Sequence, residues 1–192
     1  MKIYIIRHGE TTSDIENRYG GDYDDHLTEK GIAQAQDLAA KLVHQGIQII
    51  FSSPRIRAKE TSEILKRVLH CDVQIVDDLR ERNRYSVLTG MEKTKAQHEY
   101  PELANLVQDY RNTIDGAESY ENLLLRVKSA FHQIIKTPYN SIAVISHGGP
   151  IACIFRDVLN MGELNVAGGA IIELEKNDLN FKVIKMDGAS FA

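Results

Sequence analysis

A chain of 192 residues with 43% hydrophobic content is long enough for one well-cored domain, taken here as 1–192. Its formal charge of -4, with acids and bases interleaved, leaves no basic stripe or tail for nucleic acid or an acidic membrane surface, so an anion must be held by a local cluster. Cys71 and Cys153 are its only cysteines, too few for a disulfide framework and without metal-ligand spacing, which fits a reducing compartment.

The chain opens MKIYIIRHGE. Its apolar run is far too short for a signal peptide or membrane span and is followed at once by charge, so a soluble, cytoplasmic protein is expected. Lys2 to Ile6 reads as a strand that ends abruptly in Arg7-His8-Gly9-Glu10. Gly9 lets the backbone turn sharply, and Arg7 offers a planar fork of donors suited to carboxylate or phosphate. Thr28 caps a helix whose stripe is Ile32, Ala35, Leu38, Ala39 and Leu42, with Gly46 placed to end it. After a strand from Gln48 to Phe51, Ser53 as N-cap and Pro54 at the first helical position mark another helix start, whose free N–H groups favour an anion.

Helical spacing in this segment separates two arginines. Arg57 shares a face with Thr61, Ile64 and Val68 and should point inward, whereas Arg55 shares its face with Lys59, Ser62 and Lys66 and should meet water. A buried charge needs a partner, and at Arg57 either a bound anion or a nearby carboxylate would serve. The next strand, Val73 to Val76, leads into Asp77-Asp78-Leu79-Arg80-Glu81, three acids at the same rim among which spacing does not choose.

Ser119 then precedes a helical stripe of Leu123, Leu124, Val127, Ala130, Phe131 and Ile134. The strand Ile142 to Ile145 repeats the opening event by ending in Ser146-His147-Gly148-Gly149, and Pro150 opens a helix with Ile151, Ile154, Phe155 and Val158 on one side. Ala170 to Leu174 and the turn at Asn177-Asp178 suggest an edge hairpin.

Strands apolar on both faces and separated by helices imply a mainly parallel sheet covered on both sides. Ligands then bind beyond the carboxyl ends of the strands, where Arg7-His8 and His147 emerge together. Two arginines beside two histidines, with neither HExxH nor clustered Cys, disfavour a metal and suit a phosphoryl dianion. One neutral imidazole can attack phosphorus while the other clamps the group, and a proton donor for the leaving oxygen is still required.

These residues resemble the histidine phosphatase superfamily, in the branch (branch 1) of phosphoglycerate mutase-like enzymes. The matching pieces are RHGET at Arg7 to Thr11, LTEKGIAQA at Leu27 to Ala35, SSPRIRAKET at Ser52 to Thr61, LRE at Leu79 to Glu81, GAES at Gly116 to Ser119 and SHGG at Ser146 to Gly149, in the family's order. The resemblance implies a Rossmann-like three-layer α/β/α sandwich, a phosphohistidine on His8, phosphoryl binding by Arg7, Arg57 and His147, and Glu81 as proton donor and acceptor. Gly148, Gly20, Gly21, Arg82 and Lys93 are carried as further substrate contacts. No metal and no cofactor are implied, and the expected partner is a small phosphorylated metabolite; a homodimer is compatible.

Asp14 departs from the pattern, standing where many members have Asn, and an anion there weakens phosphate binding unless it is paired, protonated or turned away. The stretch Arg80 to Lys93 matches the mutases' substrate loop only loosely, and Arg111 stands alone where many mutases have paired arginines. Hydrolysis of small phosphomonoesters is therefore expected ahead of mutase transfer. The complete set of His8, Arg7, Arg57, Glu81 and His147 stands against a module that has lost turnover.

Overall fold

In the computed structural model, which describes residues 1–178 and 180–192, the first strand sets the layering. The chain runs through β1 (Lys2–Arg7), a single helical turn α1 (Thr12–Ile15), α2 (Glu29–Leu42), β2 (Ile49–Ser52), α3 (Ile56–Leu69) and β3 (Asp72–Ile75). It continues through α4 (Lys93–Glu99), α5 (Pro101–Leu106), α6 (Tyr120–Ile134), β4 (Ser141–Ser146), α7 (Gly148–Cys153), β5 (Leu164–Asn177) and β6 (Asn180–Phe191). Because strand side chains alternate, Ile3 and Ile5 join Ile142 and Val144 against Leu123, Val127 and Phe131 of α6 and Ile151 of α7. On the other face, Tyr4 and Ile6 join Ile50, Ala143 and Ile145 against Ala35, Leu38 and Leu42 of α2 and Ala58 and Leu65 of α3. Each such fully buried Leu or Ile contributes about 1.5–3 kcal/mol.

The six strands lie in the order β3-β2-β4-β1-β5-β6. β1 to β4 are parallel, while β5 and β6 are antiparallel additions at one side. This is the expected α/β architecture, a mostly parallel sheet between helical layers. Register explains why the two His-Gly strand ends meet. Arg7 of β1 is paired with Ser146 of β4, and the His8 amide donates to the Ser146 carbonyl at 3.2 Å. His8 and His147 are thus the first residues past the ends of adjacent central strands.

Several local expectations are corrected. Val73 to Val76 is not a buried strand: β3 is an edge strand, with Gln74 and Ile75 exposed, because only β2 flanks it. Ile32 is 41% exposed and Gly31 takes its place on the inner face of α2; a Cβ on Gly31 would lie 2.1 Å from the Glu10 carbonyl oxygen. The helix also ends at Leu42, before Gly46. α3 starts at Ile56 rather than Pro54, with Arg55 as its N-cap residue. Its first amide is taken by Asp24 Oδ1 at 2.9 Å, so a carboxylate of this chain occupies the place expected for a bound anion. Arg55 does not face water but pairs with Asp22 and lies near Asp24. α7 starts at Gly148 and continues past Cys153 as a π-turn, Ile154–Val158.

The expected hairpin is present, with Asn177 paired to Asn180; its Leu179 lies outside the described residues. β5 starts earlier than expected, at Leu164, and its pairing with β6 is irregular between Val166 and Ile171. There the Gly169 amide donates to the His8 carbonyl at 2.9 Å. Residues 82–118 carry α4 and α5 around a small core of Leu88, Ala96, Val107 and Ile114.

Candidate active site

His8 is 4% exposed, and its tautomer is fixed by chemistry. Nδ1 lies 2.8 Å from the Gly9 carbonyl, which only accepts, so Nδ1 carries the proton. The Nε2 lone pair accepts from Arg57 Nε at 3.1 Å. Burial first, then the charges of Arg57 and Arg7, hold the imidazole well below the ordinary histidine range. The ring is therefore uncharged, with its Nε2 lone pair directed at Arg57.

The arginines are held by their neighbours. Arg57 Nη1 donates to the Tyr23 carbonyl at 2.6 Å and to Asp25 Oδ1 at 2.8 Å, and Nη2 donates to the Gly21 carbonyl at 2.9 Å. Of the two alternatives for Arg57, the carboxylate partner is present, as Asp25, and the same side chain also reaches His8. Asp25 is buried and further accepts from Ser13 Oγ at 2.5 Å. Arg7 Nη1 donates to the Val166 carbonyl of β5 at 2.6 Å, while its buried Nε has no partner. Asp14 does not point a bare charge at the site: its Oδ2 accepts from the amide and hydroxyl of Thr11, both at 2.9 Å, and its Oδ1 is 3.9 Å from Arg7 Nη2.

Glu81 follows the 3-10 turn Asp77–Leu79 and is the acid of that run that lines the cavity. Its Oε1 accepts from the Arg82 amide at 2.8 Å and its Oε2 from the Gly149 amide at 3.2 Å. A Cβ on Gly149 would stand 2.3 Å from Glu81 Oε1, so the second glycine of His-Gly-Gly makes room for the acid. Arg126 of α6 clamps this segment through the carbonyls of Asp78, Arg80 and Glu81, with Glu118 as its ion partner.

Together these groups floor a cavity of about 530 Å³ lined by Arg7, His8, Arg57 and Glu81, with Tyr19, Tyr85, Tyr110 and Tyr120 on its walls. Gly20 and Gly21 line it too, Gly20 with open space where a side chain would be, and Lys93 stands at its edge. Gly148 lies against Arg7, at 3.8 Å from the guanidinium carbon for an added Cβ. His147 is fully buried behind the floor, its ring 4.9 Å from that of His8. Arg82 also lines the cavity. It is 3% exposed, and its guanidinium donates to the carbonyls of Tyr110, Glu118 and Asn112 and to Thr113 Oγ1. These bonds engage four of its five N–H donors and make it a strut of the wall. Arg111 is exposed and stacks on Tyr110 outside the cavity lining.

The family model for the histidine phosphatase superfamily (branch 1) matches residues 3–182. The chain belongs to that superfamily. A curated relative, "Probable phosphoglycerate mutase GpmB" of Salmonella paratyphi B, is 32% identical over 169 residues, covering 84% of this chain and 76% of that protein. Among solved structures, the fold is shared with a putative alpha-ribazole-5'-P phosphatase of Escherichia coli (TM-score 0.84, 23% identity, 95% and 94% of the two chains). It is shared also with YhfR of Bacillus stearothermophilus (0.86, 21%, 95% of each) and a mycobacterial glucosyl-3-phosphoglycerate phosphatase with VO3 (0.82, 20%, 96% and 97%). Among the described residues, no group of three or more His, Cys, Asp or Glu could hold a metal ion, and no helix is long and apolar enough to cross a membrane.

Two predictions arise from this geometry. Asp25→Ala leaves the buried Arg57 charge without its carboxylate and should cost about 3–5 kcal/mol in urea unfolding; a loss below about 1 kcal/mol would show that the pair contributes nothing. The second concerns acid. His8 and His147 both have native pKa values well below the unfolded value, so the unfolded chain binds more protons below about pH 6.5. The stability they permit is full above that pH and falls as pH drops toward their native values, by up to about 1.4 kcal/mol per pH unit for each. His26, raised by the hydrogen bond and charge of Glu60, acts in the opposite sense but is exposed and screened. Unfolding at pH 7.5, 6.5 and 5.5 should show the decline, and His147→Ala should make it shallower; a flat profile would contradict it.

Proposed function

We propose that this histidine phosphatase is a phosphomonoesterase for small phosphorylated metabolites, working without a metal through a phosphohistidine on His8. The observation that carries this reading is the fixed His8 tautomer, whose Nε2 lone pair lies at a cavity floored by Arg7 and Arg57 and bounded by Glu81. Arg57 Nε, which donates to that nitrogen in the free protein, turns to a phosphoryl oxygen when the ester binds. Nε2 then attacks phosphorus as the P–O ester bond breaks, and the Glu81 carboxyl supplies a proton to the leaving oxygen. Arg7, Arg57 and His147 hold the equatorial oxygens, where charge must be stabilised. In the second half Glu81 takes a proton from water, the water oxygen attacks phosphorus, and the P–N bond breaks to release inorganic phosphate and neutral His8.

Free Cys71 and Cys153 fit the reducing cytoplasm as the place of action. The name carried by the Salmonella relative favours a second reading, phosphoryl transfer between positions of a phosphoglycerate. One experiment separates them: wild-type protein in excess EDTA, with phosphate release from an aryl phosphate and from phosphoglycerates measured beside phosphoglycerate interconversion. Phosphate release that outpaces interconversion supports the phosphatase; interconversion that outpaces release supports the mutase and overturns our reading.

A further inference from the structure

The two ring nitrogens of His147 have unlike surroundings. Nε2 lies 2.7 Å from Ser53 Oγ, with both residues fully buried, whereas Nδ1 is buried without a partner. Register brings the pair together. Ser52 of β2 is paired with Ile145 of β4, and the Ser53 amide donates to the Ile145 carbonyl at 3.0 Å, so both residues sit just beyond neighbouring strand ends. The imidazole is uncharged near neutrality, through burial first and then Arg57, His8, Arg7 and Arg55. An uncharged ring carries one proton, and the hydrogen bond at one nitrogen decides which of the two holds it.

Ser53 makes that decision. Its Oγ already accepts from the Arg55 amide at 3.3 Å and retains one proton to donate. If Nε2 held the ring proton, Oγ would accept twice and its own buried proton would have no acceptor, at a cost that buried polar groups rarely carry. If Nε2 accepts from Ser53, both Ser53 and Nε2 are satisfied and the ring proton lies on Nδ1, which has no partner within the chain and is left to donate to a bound anion.

We infer that Ser53 fixes His147 as the Nδ1–H tautomer, so that a phosphoryl oxygen held by Arg7 and Arg57 meets a donor on His147 rather than a lone pair. Ser53 is thus a positioning residue, acting on the anion only through His147. The inference rests on the phosphoryl site proposed above.

The test uses the full chain with 15N-labelled histidine. Long-range proton–nitrogen spectra report the His147 tautomer in wild type, Ser53→Ala and Ser53→Thr, and titration calorimetry reports affinity for inorganic phosphate. Wild type and Ser53→Thr should show Nδ1–H. Ser53→Ala should lose the single tautomer and bind phosphate about tenfold more weakly, the scale of one hydrogen bond to a charged group. A wild-type ring protonated at Nε2 would overturn the inference even with His8-dependent hydrolysis intact, as would a Ser53→Ala protein with wild-type tautomer and phosphate affinity. A wild type that shows Nδ1–H but never hydrolyses an ester would instead count against the phosphatase reading while supporting the role of Ser53.

Discussion

Replacing His8 with alanine is expected to lower kcat/KM for an aryl phosphate by about 10⁴-fold or more, the scale of losing a nucleophile outright. Nothing nearby replaces it. His147 Nε2 is engaged by Ser53, and with the ring proton on Nδ1 neither nitrogen of His147 offers a free lone pair. Arg7 and Arg57 keep their anchors at Val166, Tyr23, Asp25 and Gly21 in the variant. Inorganic phosphate should therefore still bind, which calorimetry on the same preparation would show. A variant that keeps a tenth of wild-type activity would contradict the assignment of His8.

Glu81→Gln is expected to produce the second large effect, and its size should depend on the leaving group. Glutamine keeps the shape and can still accept from the Arg82 and Gly149 amides that hold Glu81, but it cannot deliver a proton. Alkyl phosphates, whose leaving oxygens are strongly basic, should lose about 10²–10⁴-fold in kcat/KM. An aryl phosphate with an acidic phenol needs little protonation and should lose far less in that step. Gly149→Ala should resemble Glu81→Gln, because its Cβ would displace the carboxylate. Equal losses for alkyl and aryl esters would show that Glu81 does not protonate the leaving oxygen.

Much of this site is legible in the residues because its chemistry sits at strand ends. The apolar runs before Arg7-His8 and His147 fix two central strands, and parallel pairing in register carries both histidines to one rim. Arg57 is legible from helical spacing, since Thr61 on the same face is also buried. What escapes is everything held by irregular backbone. Asp25 reaches Arg57 from the loop Gly21–Asp25, where no period exists to read, and one amide of that neighbourhood is capped by Asp24. Ser53 looks like an N-cap from its neighbour Pro54, yet α3 begins later and leaves its hydroxyl for His147. Arg82 reads as an anion ligand because it is a cation beside Glu81; only the path of residues 110–118 shows that three carbonyls and the Thr113 hydroxyl take four of its five donors. The one signal that could have found Gly149 is the doubled glycine after His147, a place where backbone must pass close to another group.

The most direct measurement is a rapid acid-free quench of the wild-type chain during turnover of a 32P-labelled phosphomonoester, followed by alkaline digestion and identification of the labelled residue. An acid-labile, alkali-stable phosphoryl group on Nε2 of His8, formed in a burst and absent from His8→Ala, is the expected result. Steady turnover with no labelled chain, or label on any other residue, would contradict it.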